Sequence, residues 1–334
     1  LPYCARHSSS ARGGLPFLMG IVAAALFSAA PAPAQQAYPV RALRLVVPSA
    51  PGGGADITAR IIAPRLSEQL GQQVVVENRS GAGTMIGGEV VARAAPDGYT
   101  LLLGISTLAI NPAIYRKVPY DALRDFAPVS QLVSLPNVLV THPSLPVKTV
   151  RELIAFARSR PGELNFASAG VGTNPHLSME LFLVMTGTRM VHVPYKGAGP
   201  GIVDLVAGHV PVMTPSILSG LPHVKGGRLR ALGVTGAKRA GGAPDIPTIA
   251  EAGVPGYEAV QWFGVAAPAG TPREIIGRLH GEIVHLLQSA EVRARLSGDG
   301  ADPVGSSPDE FAAFLRAETV KWAKVVRDAG IPPE

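Results

Sequence analysis

Short apolar runs alternate with helix-period segments along almost the whole chain beyond residue 40. The apolar runs predict strands at residues 43–47, 74–77, 100–103, 137–140, 164–166, 190–193, 210–213, 229–234 and 264–267. Between them, apolar positions recur every three or four residues, as from Ile57 to Leu70. Strands of four to six residues spaced by helix-length segments predict βαβ units and mostly parallel sheets. Several helices carry their own start signals. Thr149, Thr271 and Ser307 each stand three positions before a glutamate (Glu152, Glu274, Glu310), the spacing of a capping box, and Pro272 and Pro308 suit a first helical position. The last helix sets Phe311, Phe314, Leu315, Trp322, Val325 and Val326 on one stripe, which reads as core packing, and stops at Gly330. Pro64 falls in mid-helix, where it cannot donate to the Arg60 carbonyl, and predicts a kink or a break.

In an open α/β sheet, ligands bind where loops leave the carboxyl ends of strands and enter helices. Four such loops stand out here. The first, at residues 48–56, reads Pro-Ser-Ala-Pro-Gly-Gly-Gly-Ala-Asp. Three glycines before a helix leave backbone amides bare at its positive end, which favours an anion. No Lys-Ser/Thr pair follows, so it is not a Walker phosphate loop, and the spacing is not Gly-x-Gly-x-x-Gly. Residues 104–112, 167–176 and 194–200 form the other three loops, again rich in glycine and hydroxyl side chains. Together they predict a pocket of amides and hydroxyls suited to a small carboxylated solute.

Composition narrows the setting. Residues 1–34 read as a secretory leader: Arg6 and Arg12 precede an apolar run from Leu15 to Ala30, and Ala32-Pro-Ala34 offers a cleavage pattern. The expectation is a soluble, exported protein beginning at Gln35. Cys4, the one cysteine, lies in that leader ahead of the apolar run, so no lipid anchor, disulfide, thiolate metal site or cysteine nucleophile is expected in the rest. A chain of this length supports a large core without disulfides and suggests two lobes. The net charge of +6 (or +4 without Arg6 and Arg12) is scattered, and aromatics are few, which argues against nucleic acid.

Conventional catalytic patterns do not assemble. His280 and His285 are five apart, so their rings diverge on a helix, and no metal site is expected. Ser106 lacks the second glycine of a nucleophile elbow. His192 and His209 adjoin apolar runs and read as structural, and Glu77-Asn78-Arg79 reads as a loop-fixing set. No cofactor is implied.

Ten short motifs carry a family resemblance. They are Tyr38-Pro39, the 47–56 stretch, Val75-Val-Glu-Asn-Arg79 with Gly81-Ala-Gly83, Ala95-Pro-Asp-Gly-Tyr99, Ala109-Ile-Asn-Pro112, Val118-Pro-Tyr-Asp121, Val191-His-Val-Pro-Tyr-Lys-Gly197, Leu221-Pro-His223, Ala266-Ala-Pro-Ala-Gly-Thr-Pro272 and Trp322-Ala-Lys-Val-Val326. In this order, from about Tyr38 to Ile331, the chain resembles the Bug-type (TctC-like) substrate-binding proteins of tripartite tricarboxylate transporters. The resemblance implies an α/β, periplasmic-binding-protein-like fold: two α/β lobes with mostly parallel sheets, joined by two crossing segments, with a ligand cleft between them. It places lobe 1 at residues 35–137 plus 266–334 and lobe 2 at 138–265.

Carried over by position, Gly52, Gly53, Gly54 and Ala55 would give amides to one carboxylate. Asp56, in the same set, would cap the helix rather than touch an anion. Ser106 and Thr107 would line the wall, while Ser168, Gly170, Gly172 and Thr173 would grip the far end of the solute, with His176 behind them. Gly197 is a nearby candidate, and Lys196 reads equally as a ligand contact or a rim charge. Two segments depart from the family pattern: Thr214-Pro-Ser-Ile-Leu218 and the Asn174-Pro175 pair. The function implied is a non-enzymatic, monomeric periplasmic receptor that captures a small organic carboxylate and delivers it to membrane permease subunits. Two alternatives remain: a hydrolase or transferase using the glycine loop as an oxyanion or phosphate cradle, with Ser106 and His176 as its only pair, and a sensor presenting solute to a membrane kinase.

Overall fold

Two mixed sheets organise residues 38–328, the part of the chain that the computed structural model describes. The first third alternates strand and helix: β1 (Leu43–Val47), α1 (Gly54–Leu70), β2 (Val74–Asn78), a 3-10 turn at Ala82–Thr84, α2 (Met85–Ala92), β3 (Thr100–Ile105) and α3 (Thr107–Ile114), ending in β4 (Phe126–Pro136). The chain then enters the second sheet through β5 (Val138–Thr141), followed by α4 (Val150–Ser159), β6 (Asn165–Ser168), α5 (Asn174–Thr186), β7 (Val191–Pro194), α6 (Ala198–Val206), β8 (Val212–Met213), α7 (Ile217–Lys225) and β9 (Arg230–Val234). It returns through β10 (Val260–Pro268) and finishes with α8 (Arg273–Gln288), α9 (Ala290–Gly298), β11 (Asp302–Pro303) and α10 (Pro308–Asp328). The strand orders are β11-β4-β10-β3-β1-β2 and β7-β6-β8-β5-β9.

The parallel expectation holds only for the local βαβ units. β1 pairs parallel with β2 and β3, and β6 with β7 and β8. The crossing strands run the other way: β10 is antiparallel to β3 and β4, and β5 to β8 and β9. A strand arriving from the other sheet has no crossover helix to fix its direction, so the sheets are mixed. β4 escaped the sequence reading because Pro128 and Pro136 interrupt its pattern. It tolerates Pro128 because only β10 pairs with it there; β11 meets it later, at Val133 and Ser134. The 104–112 loop is shorter than expected, since β3 runs to Ile105 and α3 starts at Thr107.

Helices cover the sheet faces, so β1 buries Leu43, Leu45, Val46 and Val47 completely. The α10 stripe closes one side of the first sheet: Phe311, Leu315, Trp322 and Val326 are buried, and Phe311 lies edge-on to Trp262 of β10 at 5.5 Å. Burying a side chain such as Phe311 contributes about 2–3 kcal/mol. Of the three capping boxes one forms in full, at Ser307, and a second in part, since Glu152 accepts the amide of Lys148 rather than that of Thr149. Thr149 Oγ1 accepts from the Glu152 amide at 3.1 Å, and Ser307 and Glu310 cap each other reciprocally. The third does not form. Thr271 turns its hydroxyl back to Pro268 O (2.8 Å), and α8 begins after Pro272 with no side-chain cap. Nor does Pro64 break α1, which runs its 17 residues without interruption.

Candidate functional site

Six helices begin at one place between the sheets. The N-caps of α1 (Gly53), α2 (Thr84), α3 (Ser106), α5 (Thr173) and α7 (Ser216) line one cavity, and α6 contributes its first residue, Ala198. None of these six starts has a side-chain cap. Of their first-turn amides, those of Met85, Ala109 and Ser219 are taken by the carbonyls of Ala82, Ser106 and Ser216, and Pro175 and Pro200 carry no N–H. Others, such as Gly54, Ala55, Thr107 and Ile217, have no side-chain partner and are available to a bound group. Each start also carries up to half a positive charge, so the wall favours anions although no Lys, Arg, His, Asp or Glu lines it among the described residues. The rest of the wall comprises Ser49, Gly54, Ala55, Ile105, Thr107, Ala169, Asn174, Pro175, Gln261 and Phe263. Ser49 Oγ is buried without a partner. A buried hydroxyl left unpaired costs about 1–3 kcal/mol, which a ligand oxygen would recover.

The glycine loop is held from behind. Asp56 accepts the Gly52 amide, Arg60 Nε and Asn78 Nδ2, each at 3.0 Å, and Asn78 Nδ2 also reaches Ser49 O at 3.0 Å. Burial pushes the Asp56 carboxyl up, but the bonds from Arg60, Gly52 and Asn78 outweigh it and hold the group below its usual range. The Gly52 amide is thus taken by Asp56 and is not free for a solute. The Glu77-Asn78-Arg79 set fixes this loop, with Glu77 also bonded to Arg44 and Arg79.

The loop after β6 has its own brace. Ser168 Oγ accepts the Gly170 amide (3.0 Å) and meets His192 Nε2 (2.6 Å), while His176 Nδ1 accepts the Gly172 amide (3.2 Å). The rings of His176 and His192 stack at 4.0 Å, with Phe166 beyond at 5.0 Å from His192. Burial, then the neighbouring His176, lowers the His192 pKa to about 4 against the pull of Glu180.

Of the residues expected at the site, Gly53, Gly54, Ala55, Ser106, Thr107 and Thr173 surround the cavity. Gly52, Asp56, Ser168, Gly170, Gly172 and His176 do not line it, and their polar atoms bond within their own loops. Lys196 is exposed, its carbonyl accepting the Ala50 amide at 3.2 Å, and Gly197 lies against Ala50; neither lines the cavity. These contacts join the loops of the two sheets. A Cβ on Gly199 would run into Pro51 O, and one on Gly54 into Ser216 and Phe263, so both glycines permit the approach. On the other flank Tyr115 Oη donates to Val171 O at 3.2 Å.

Sequence reasoning missed Thr84, Gln261 and Phe263, which no local motif marks. Ser49 lay inside the glycine stretch, and Asn174 and Ser216 lay in the two segments set apart as departures. Those departures touch each other: Thr214 Oγ1 donates to Pro175 O at 2.8 Å.

Two α/β sheets with an anion-favouring cavity between them define a two-lobed solute-binding protein. Residues 58–331 match the tripartite tricarboxylate transporter family receptor, TctC, and the chain belongs to that family. It is 42% identical over 315 residues to Protein BugT of Bordetella pertussis, covering 94% of this chain and 96% of that one. Among solved structures, R. palustris Rpa4515 with adipate superposes at a TM-score of 0.87 with 43% identity, covering 89% of this chain and all of the other. MatC from Rhodopseudomonas palustris with bound malate gives 0.81 and 34%, covering 86% of this chain and 100% of that one.

Proposed function

We propose that this protein is an exported receptor that encloses a small carboxylate dianion between its lobes and passes it to the membrane subunits of a tripartite tricarboxylate transporter. The observation that carries this reading is the convergence of six uncapped helix starts on one cavity without a cationic side chain. Relatives whose structures hold adipate and malate support the same class of ligand. We take the lobes to follow the two sheets, with crossings near Asn137–Val140 and Gln261–Ala267, the second of these lying within β10. Closure brings Ala50 to Lys196 and Pro51 to Gly199, and the closed pair of loops forms a surface that the permease reads. Solute shifts the open–closed equilibrium only by its preference for the closed form.

The receptor acts as a monomer in the periplasm, without catalysis. Ser106 lines the cavity, whereas His176 stands behind Gly172 with Nδ1 already engaged, so the hydrolase alternative lacks its pair. The leader at residues 1–34 lies outside the described residues. Titration calorimetry of the protein starting at Gln35 against mono-, di- and tricarboxylates tests the reading. Dicarboxylates are expected to bind with micromolar or tighter affinity, and silence across the panel would refute it.

A further inference from the structure

The hydrogen-bond polarity around the two crossing strands fixes which atom Gln261 turns toward the cavity. A carbonyl only accepts, so Asn174 must present Nδ2 to Val260 O, 3.1 Å away. Its Oδ1 therefore faces Asn137, which answers with Nδ2 at 2.8 Å. The same Nδ2 reaches Ser178 Oγ at 3.0 Å, and that hydroxyl sends its own proton to Asn174 O at 2.7 Å. Asn137 Oδ1 is left for Gln261, which must donate from Nε2. Asn137 and Asn174 are at most 1% exposed and Gln261 is 6% exposed, so water does not scramble this sequence of donors and acceptors. One atom remains: Gln261 Oε1 has no hydrogen bond to any described residue, and Gln261 lines the cavity.

We infer that Gln261 Oε1 accepts a hydroxyl of the bound solute, so that the receptor selects hydroxy-substituted carboxylates over their unsubstituted counterparts. This rests on the carboxylate reading above and adds a substituent to it. The helix starts around the cavity offer donors, which suit carboxylate oxygens. A carboxylate oxygen opposite Gln261 Oε1 would instead set two acceptors against each other. An ammonium group would supply a donor, but no Asp or Glu lines the wall and the helix starts present positive ends, so a cation is disfavoured. A neutral hydroxyl meets both conditions. The second Nδ2 hydrogen of Asn174, on the same wall, suits the oxygen of that hydroxyl.

The test is calorimetry on the wild-type protein with ligand pairs that differ by one hydroxyl: succinate and malate, glutarate and 2-hydroxyglutarate, adipate and 3-hydroxyadipate. The hydroxy acid of the best-binding pair is expected to bind about tenfold more tightly, the scale of one hydrogen bond to a buried group. Unsubstituted acids that bind as well as or better than their partners in every pair would overturn the inference and leave the carboxylate reading standing. Failure of all six acids to bind would overturn both. Gln261→Met keeps the length of the side chain and removes the acceptor, so the difference within the best pair should vanish, whatever happens to both affinities. Persistence of the difference in that variant also overturns the inference. Because the wild-type comparison stands alone, poor folding of the variant would not rescue it.

Discussion

Helices that begin at the cavity and helices that begin on the outer surface follow opposite rules. On the outside, α4, α9 and α10 start under side-chain caps from Thr149, Ser289 and Ser307. At the cavity, four of the six N-cap residues also carry hydroxyls, yet none of these caps its own helix. Thr84 and Thr107 bond each other (2.6 Å), Thr173 bonds Gly170 O (2.6 Å), and Ser216 pairs with Ser219 (2.9 Å). Residue preference is therefore not the difference. Side-chain caps are absent at the starts that face the cavity and present at these three outer starts. α8 is the exception, uncapped away from the cavity, with Pro272 at its cap position.

The largest effect should come from filling the cavity's tightest point. Gly54→Val places a branched side chain against Ser216 and Phe263, at an approach that admits no Cβ without movement. Carboxylate affinity should fall more than a hundredfold by calorimetry, while circular dichroism keeps the native spectrum. Binding within tenfold of wild type would show that α1 does not form the wall.

A smaller loss should follow at Gly199, which does not line the cavity. Gly199→Ala pushes the second-sheet loop off Pro51. It should weaken affinity about tenfold, roughly 1.4 kcal/mol, through closure alone. Small-angle scattering should then show the liganded variant more extended than the liganded wild type. Equal scattering profiles and equal affinities would remove these loops from the closure mechanism.

The contrast between the two kinds of helix start is sharpened by a matched pair. Thr149→Ala removes a working cap and should cost about 1 kcal/mol of stability in urea, with ligand affinity unchanged. Ser106→Ala removes a hydroxyl that caps nothing, so it should lower affinity several-fold and change stability by less. Interchanged results would mean that the cavity helices are capped in solution and the amides are not available.

The sequence made local structure legible and left the joints obscure. All nine expected strands overlap an observed one, and two glutamate-bearing caps form as spaced, because both are set by neighbours within a few residues. β4 was hidden since its prolines are tolerated only through a one-sided pairing that no local pattern encodes. The same limit governs the site. Gly53, Gly54, Ser106 and Thr173 were visible as post-strand, helix-start residues. Gln261 and Phe263 reach the cavity because β10, on its return to the first sheet, starts beside Asn137 and Asn174, and the polar atoms of Ser168 and His176 bond within their own loop. The two departures from the family pattern signalled the Asn174 and Ser216 wall, though their contact through Thr214 became visible only in three dimensions.

The histidine stack behind the second-sheet loop gives the smallest effect. His192 has its pKa lowered from 6.5 to about 4 in the folded protein, by burial first and by His176 second. The unfolded chain therefore takes up a proton between about pH 6.5 and 4 that the folded chain refuses. Stability is fully present above that window and falls as the pH drops through it. His192 is partly open to solvent, so screening cuts the loss between pH 7 and pH 5 to about 1 kcal/mol. Asp56 does not contribute in this interval: its carboxyl is held below its ordinary value, and its share is lost only at lower pH. Urea denaturation of the wild type and of His192→Gln at pH 7 and pH 5 isolates the effect, since the variant keeps a polar side chain near Ser168 but has nothing to titrate. The wild type should lose more stability than the variant on acidification. Equal losses would mean that the ring is already solvated, and that the brace behind Gly170 and Gly172 is looser than the stacked geometry requires.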